Sequence, residues 1–176
     1  MVRMKREISF SDLDKELKRI SEKIEAIKLP QGFLEFLLYV VSEIFENIRT
    51  HSLAKNIVVD INIGPKKCKM AIADNGIGFR ESYIRKKIYP KDDFSAIEFA
   101  LSGLSSKDLQ ERGFGLYSIR KLVEALGGTL IIETGSARAI IKKNKINLQK
   151  IPKKRAGVFL NIDSAVRRID FYKIIK

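Results

Sequence analysis

The chain contains very few of the residues that build disulfides and zinc sites. It has one cysteine, Cys68, and one histidine, His51, among 176 residues. A single cysteine excludes an internal disulfide and is typical of a reducing compartment, and this pair cannot supply the usual four zinc ligands. No window approaches the roughly 18 consecutive apolar residues of a membrane span, and no apolar secretory core follows the charged start. We therefore expect a cytoplasmic protein without membrane contact.

The composition is that of a globular protein with an uneven charge distribution. Hydrophobic residues make up 45% and charged residues 31% of the chain, which fits one domain with a substantial core. Residues 137–176 carry 12 basic and 2 acidic side chains, hence +10 of the formal net charge of +13. Such a field could attract an acidic protein or nucleic acid. A solvated basic hairpin is the plainer explanation, because no known nucleic-acid-binding motif accompanies the charge.

Hydrophobic periodicity predicts two helices in the first part of the chain. One runs from Ser9 or Ser11 to about Lys28, and its apolar seam could lie on the same domain or contact a second copy in a homodimer. The other, about Gly32 to His51, is apolar nearly all round and therefore belongs in the interior. We accordingly divide the chain into an N-terminal amphipathic helix, residues 1–30, and a main domain, residues 31–176.

The rest of the sequence predicts strands, a lid that includes a short helix, and one further helix. Residues 76–112 show little periodicity and are typical of a mobile lid, and residues 137–156, with eight basic and no acidic side chains, suggest an added basic β-hairpin. The predicted elements are strands at about Asn56–Ile63, Cys68–Asp74, Thr129–Thr134 and Gly157–Ile162, a short helix at Phe94–Leu101, and a helix from Phe114 to about Leu126.

Three polar side chains follow one edge of the second predicted helix. Glu43, Asn47 and His51 are four residues apart in turn, so a helix places them in a row. The amide oxygen of Asn47 suits Mg²⁺, which takes few protein ligands besides waters and phosphates. Glu43 could deprotonate or orient an attacking hydroxyl or water, and His51 could reach a phosphate. This edge could equally well face solvent, so the row alone decides nothing.

Two glycine-containing segments are further candidates for the same site. Asp74 ends a predicted strand and is followed by Gly76 and Gly78, so its carboxylate could accept the exocyclic amine of adenine beside closely approaching backbone. An ordinary Asp-Asn-Gly turn has the same residues. Gly113 and Gly115 lie at a predicted helix start, where backbone N–H groups and the helix dipole favour phosphate.

In this order, the three segments resemble the conserved motifs of the GHKL superfamily, which comprises gyrase B subunits, related heat-shock chaperones, histidine kinases and MutL-type ATPases. Residues 43–47 are similar to the N box, residues 74–78 to the G1 box and residues 112–116 to the G2 box. The resemblance covers about 33–128 together with the strand at 157–162. It implies a two-layer α/β sandwich, with a mixed β-sheet covered on one face by helices, an ATP lid and here the added basic β-hairpin.

The resemblance also implies roles for individual residues. Glu43 would be the general base, Asn47 the Mg²⁺ ligand, and Asp74 the group that binds the adenine amine, assisted by Gly78. The implied contacts to ATP are Asn47, His51, Asp74, Gly76, Gly78, Ser105, Ser106, Lys107, Arg112, Gly113, Phe114, Gly115 and Leu116. The implied cofactors are ATP and Mg²⁺.

Two positions depart from the pattern. Many members have a small residue after the asparagine, whereas this chain has Ile48. Many also have Gly-Thr in the final strand, where the hydroxyl helps to hold the adenine-binding aspartate and a water. This chain has Gly157-Val158, so one contact to adenine is in question.

The resemblance leaves three functions open. The chain is too short for the extra domain of the gyrase, chaperone and MutL branches, and His51, its only histidine, already belongs to the predicted pocket. The run at 100–107 is similar to stand-alone anti-sigma-factor kinases, which implies phosphorylation or switching of a regulatory protein partner in trans. The alternatives are a non-catalytic nucleotide-gated binding module and a kinase subunit that acts on a histidine supplied by another chain.

Overall fold

One open sheet forms the frame of the molecule. In the computed structural model, which describes residues 2–102 and 115–175, five strands are arranged in the order β1-β2-β3-β5-β4. They are β1 (Val2–Ser9), β2 (Asn56–Ile63), β3 (Lys67–Asp74), β4 (Thr129–Lys142) and β5 (Lys145–Ala165). The predicted α/β sandwich is confirmed. The sheet is not mixed, however, because each of its neighbouring pairs is antiparallel: β5 rather than β4 lies beside β3, so the helical crossover after β3 creates no parallel pair.

Helices cover one face of this sheet. They are α1 (Leu13–Glu25), α2 (Phe33–Asn47), α3 (Gly78–Arg85), α4 (Asp93–Ser102), α5 (Gly115–Ala125) and the short α6 (Phe171–Ile175). Helix α2 is interior, as predicted, because six of its apolar side chains have no exposed surface: Phe33, Phe36, Leu37, Val40, Val41 and Phe45. The burial of this apolar surface stabilises the folded state by about 25 cal/mol per Å².

The apolar seam of α1 faces the core of its own chain. Leu13, Ile20 and Ile24 are buried, and Leu17 and Ile27 pack against the same core. The seam is therefore used within the protomer, and a homodimer, which stays a prediction, would have to use another surface.

Strands β2 and β3 have one covered face, as their alternating pattern predicts. Ile57, Val59, Ile61 and Ile63 are buried, whereas Val58 between the first two is 42% exposed and pairs with Ala73 on the other face. Side chains alternate between faces with a period of two, so Ile57 takes the inward position.

Strand β1 was not predicted, because a charged residue interrupts its apolar alternation. Met4 and Ile8 are buried, and Arg6 between them lies on the same face. Its Nε lies 3.8 Å from Oε2 of Glu16 on α1, so an ion pair takes the place of apolar packing. Residues 2–9 thus form an edge strand of the main sheet ahead of the predicted helix.

The added hairpin is present and extends the two last strands beyond the sheet. Its two-residue turn has positive φ at Lys143 (50°) and Asn144 (61°), the conformation of a type I′ turn. We call residues 137–156 the basic ribbon. One face of it packs against α4, where Ala137, Ala139 and Ile141 are buried.

The segment predicted as a lid contains regular structure in its described part. Helix α4 matches the predicted short helix, whereas α3 falls in a polar stretch where periodicity gave no signal. Among residues 2–102 and 115–175, no helix combines the length and apolarity needed to cross a membrane.

Candidate functional site

The predicted row of α2 lies along one cleft of the described structure. Glu43, Asn47 and His51 all line this cleft. Helix α2 ends at Asn47 and continues as one π-helical turn, Ile48–Ser52, closed by Leu53 in the left-handed conformation (φ 54°). Such wide turns are rare and occur often at functional sites. The turn redirects His51 and Ser52 relative to a regular helix, and it carries Ser52 to the end of β3.

Asp74 is held at the end of β3 by three hydrogen bonds. The hydroxyl of Ser52 donates to its Oδ1, and the backbone N–H of Gly76 donates to the same oxygen at 2.8 Å. The backbone N–H of Val158 on β5 donates to Oδ2 at 3.2 Å. Asp74 is buried apart from the part of it that lines the cleft. The carboxylate is therefore fixed in orientation and retains free acceptor capacity mainly on Oδ2.

The glycines of the second motif serve packing inside the protein. A Cβ at Gly76 would lie 2.1 Å from the carbonyl oxygen of Ser52, and one at Gly78 (φ 74°) would lie 2.6 Å from Thr134 Oγ1. Gly78 lines the cleft, whereas Gly76 does not. Gly157 (φ 67°) also lies tightly packed, because a Cβ there would meet Asp74 O at 2.2 Å.

The third motif meets the first at the start of α5. A Cβ on Gly115 would lie 2.2 Å from Glu43 Oε2 and 3.8 Å from Asn47 Nδ2. Gly115 and Leu116 line the same cleft as Glu43 and Asn47. A helix start without a side chain, beside an amide and a carboxylate, is a site where phosphates and a hard cation can be held.

Six predicted site residues lie outside the described part of the chain: Ser105, Ser106, Lys107, Arg112, Gly113 and Phe114. The other predicted residues, from Glu43 to Leu116, meet around one cleft or, in the case of Gly76, support its wall.

The cleft has an apolar wall of which the sequence analysis assigned only Leu116 to the site. It is lined by Ile44, Ile48, Ile72, Phe79, Tyr83, Ala100, Leu116, Val158 and Leu160. Such a wall beside a single buried carboxylate suits a flat, partly polar ring. Ile48, which replaces the small residue of many family members, is buried and contributes to this wall. Apart from Leu116, which belongs to the third motif, these residues were not assigned to the site because their spacing is that of ordinary core positions.

Thr134 on strand β4 connects two residues near the cleft through hydrogen bonds of its hydroxyl group. Its hydroxyl donates to the Gly157 carbonyl at 3.1 Å and accepts from the Phe79 backbone N–H at 3.1 Å. Val158 itself lacks a hydroxyl, so the hydroxyls near Asp74 come from Ser52 and, one strand away, Thr134. Neither residue was singled out from the sequence, since a buried serine or threonine at a strand or helix end is common.

A second basic group lies beside His51. Lys86 Nζ, just after α3, lies 3.0 Å from His51 Nδ1. An ammonium can only donate, so Nδ1 is the acceptor in this contact, and Nε2 is the ring nitrogen that can carry a proton. Nε2 is therefore the ring atom that could donate to an anion.

Tyr39 lies one helical turn before Glu43. Burial raises the pKa of the Tyr39 hydroxyl, a hydrogen bond with Ser118 of α5 opposes this shift, and the Glu43 charge adds to it. Tyr39 therefore stays protonated next to Glu43. Burial also raises the pKa of Tyr83 to about 12.

The fold and the cleft define the class of protein: an α/β sandwich whose cleft lies between an interior helix, a strand-end aspartate and a helix start. A family model described as histidine kinase-, DNA gyrase B-, and HSP90-like ATPase matches residues 33–154, more than half of the chain. The chain belongs to this family, and it is an ATP-binding protein of the histidine-kinase-like ATPase type. A search of curated proteins found no match.

Proposed function

We propose that this protein uses ATP to phosphorylate a regulatory protein partner, with Glu43 as general base and Asn47 as the ligand of Mg²⁺. The observation that carries the proposal is that Glu43 and Asn47 both lie at the start of α5. A Cβ built on Gly115 would lie 2.2 Å from Glu43 Oε2 and 3.8 Å from Asn47 Nδ2. Phosphoryl transfer needs mostly positioning and charge stabilisation, and this corner of the cleft offers both.

The residues present fit a magnesium ion. The ion takes one or two protein oxygens and completes its shell with waters and phosphate oxygens, and the side-chain oxygen of Asn47 is such a ligand in the cleft. When bound, Mg²⁺ would neutralise charge on the transferred phosphoryl group. Glu43 would accept the proton of the attacking hydroxyl, and Tyr39, protonated beside it, would leave the Glu43 carboxylate available as the base.

The opposite end of the cleft would hold the adenine. Asp74 would accept the exocyclic amine, with the base against the apolar wall near Val158 and Leu160. His51 would donate from Nε2 to a phosphate oxygen. The two ends together orient the nucleotide with its phosphates towards α5.

The test is phosphate transfer from radiolabelled ATP to the products of neighbouring genes. Glu43→Gln should reduce transfer by about 100-fold or more, the usual contribution of a general base, and keep ATP affinity within about threefold of the original, a change of less than about 1 kcal/mol. Glu22→Gln is the matched control, since Glu22 is an exposed α1 residue with an ion pair to the likewise exposed Lys18, and it should change neither quantity.

The outcomes separate the candidate functions. Equal transfer by Glu43→Gln and the original protein would remove Glu43 from the mechanism. ATP binding with no transfer to any partner would identify a nucleotide-gated binding module. An acid-labile phosphate on the partner would indicate a histidine acceptor in place of a serine.

We further propose that the basic ribbon contacts the partner. Its two arginines are engaged by Glu133: Arg138 Nε donates to Oε1 at 2.7 Å, and Arg155 lies 3.8 Å from Oε2. Its six lysines are exposed and have no ion pair with any residue in 2–102 or 115–175: Lys142, Lys143, Lys145, Lys150, Lys153 and Lys154. Like charges held together cost stability, so an acidic partner surface would relieve them.

Neutralising the ribbon tests this contact. Changing Lys142, Lys143 and Lys145 together to Gln should weaken partner binding and flatten its salt dependence, because exposed charges are screened by salt. The same change at Lys15, Lys23 and Lys28 is the control. Unchanged binding would exclude the ribbon, and tight binding of duplex DNA by the original protein alone would indicate nucleic acid as its ligand.

A further inference from the structure

The serine that ends the π-helical turn reaches the predicted adenine contact from a different element. Ser52 is buried, and its hydroxyl donates to Asp74 Oδ1. Its carbonyl oxygen also accepts the Ile77 backbone N–H at 2.8 Å. Two bonds from one residue thus join the end of the α2 segment to the loop after β3.

These bonds divide the two carboxylate oxygens of Asp74 between different tasks. Oδ1 receives both the Ser52 hydroxyl and the Gly76 N–H, whereas Oδ2 receives, from the described part of the chain, only the Val158 N–H. Asp74 is therefore held as an acceptor, with its free capacity next to Val158, a residue of the cleft wall.

We infer that Ser52 is a positioning residue that sets the purine preference of the cleft. The inference rests on the proposed role of Asp74 in binding the adenine amine. A carboxylate fixed by Ser52 accepts from an amine at C6 and cannot shift to the ring N1–H that a 6-oxo purine offers. Without the Ser52 hydroxyl, Asp74 keeps its two backbone partners, but its carboxyl group can move to accept that N1–H.

The surrounding packing explains why the effect should be specific. Val158 can supply only its backbone N–H to Asp74, and Thr134 donates to Gly157 O and not to Asp74. Ser52 therefore makes the only side-chain hydrogen bond to Asp74 among residues 2–102 and 115–175.

The test compares binding of ATP and inosine triphosphate, which differ by the amine and the oxo group at C6. Ser52→Ala should weaken ATP binding by about tenfold, a loss of about 1.4 kcal/mol, because the Asp74 carboxylate is no longer held in the orientation that accepts the C6 amine. It should weaken inosine triphosphate binding less, so the ratio of the two affinities falls. Ser52→Thr, which keeps the hydroxyl, should retain the ratio, and Ser52→Ala with Val158→Thr should recover part of it.

Ser42→Ala is the matched control, because Ser42 is exposed on α2 and should leave both affinities unchanged. An unchanged ratio of the two affinities in Ser52→Ala, whether or not both fall, would overturn the inference. If Ser52→Ala does not fold, Ser52→Cys, of similar size and with a weak donor, is measured in its place. A lack of ATP preference in the original protein would instead refute the role of Asp74 itself.

Discussion

At the scale of single residues, what matters in this cleft is which atom lies opposite each glycine. Gly115 faces the end of a flexible side chain, Glu43 Oε2, at 2.2 Å from a virtual Cβ, whereas Gly76 faces the Ser52 carbonyl oxygen at 2.1 Å. A side-chain end can move aside, but a hydrogen-bonded backbone carbonyl cannot. Two glycines in similar motifs should therefore respond differently to the same substitution.

Gly115→Ala should leave the melting temperature nearly unchanged and reduce phosphate transfer, because the new methyl group displaces the Glu43 carboxylate. Gly76→Ala should lower stability by about 1–3 kcal/mol, the usual cost of overpacking a core. Thermal denaturation and the transfer assay, run on both variants, check this contrast. A stable, inactive Gly76→Ala would contradict it.

At the scale of elements, helix α4 is tied to the base of the basic ribbon. Asp93, the first residue of α4, accepts from the Ser136 backbone N–H at 2.7 Å and from its hydroxyl at 2.8 Å. The chain bends here, since the register shifts on both sides of Gly135 (φ 54°), which packs against the same carboxylate. Because Ala100 of α4 lines the cleft, this helix connects the ribbon to the nucleotide site.

Asp93→Ala should loosen α4 and the ribbon together. It leaves a half-buried N–H without its partner, at a cost of about 1–3 kcal/mol. Amide hydrogen exchange should accelerate in 93–102 and 135–142 but not in β2 or β3. Glu98→Ala, at an exposed position of α4, is the control, and equal exchange in both variants would show that Asp93 does not join the two elements.

At the scale of the whole molecule, the burial of two titratable side chains makes the stability of the fold decrease at alkaline pH. Burial, and to a lesser extent the charge of Asp163, raises the pKa of Cys68 from 9.0 to about 12, and burial raises that of Tyr83 from 10.0 to about 12. The unfolded chain therefore loses these protons first. Proton binding is linked to folding. Where the folded state holds more protons than the unfolded state, the free energy of unfolding falls as pH rises.

The melting temperature should accordingly fall between about pH 9 and 12, the range between the unfolded and folded pKa values. Cys68→Ala and Tyr83→Phe should each flatten part of this decline, measured as the difference from the original protein at each pH. As a further check, iodoacetamide at pH 8 should modify Cys68 only when the protein unfolds. Rapid modification of the native protein would show that the thiol is accessible.

The sequence by itself determined the elements whose residues repeat a strong local pattern. Helix α2, the β2–β3 hairpin and the added hairpin were predicted because apolar periodicity and turn residues act over a few positions. The candidate site residues could be proposed from the sequence because a helix row, a strand-end aspartate and a glycine pair are each local signals. Strand β1 and helix α3 escaped prediction, since Arg6 interrupts one apolar pattern and a polar stretch hides the other.

Only the tertiary structure decided how these segments meet. The contact of Ser52 with Asp74 joins residues 22 positions apart, and that of Val158 with Asp74 joins residues 84 positions apart. No local pattern encodes such pairs, because they depend on β5 lying beside β3 and on the π-helical turn at the end of α2. The sequence thus specified a nucleotide pocket of a known family, and the packing of distant strands and turns specified which atoms hold its aspartate.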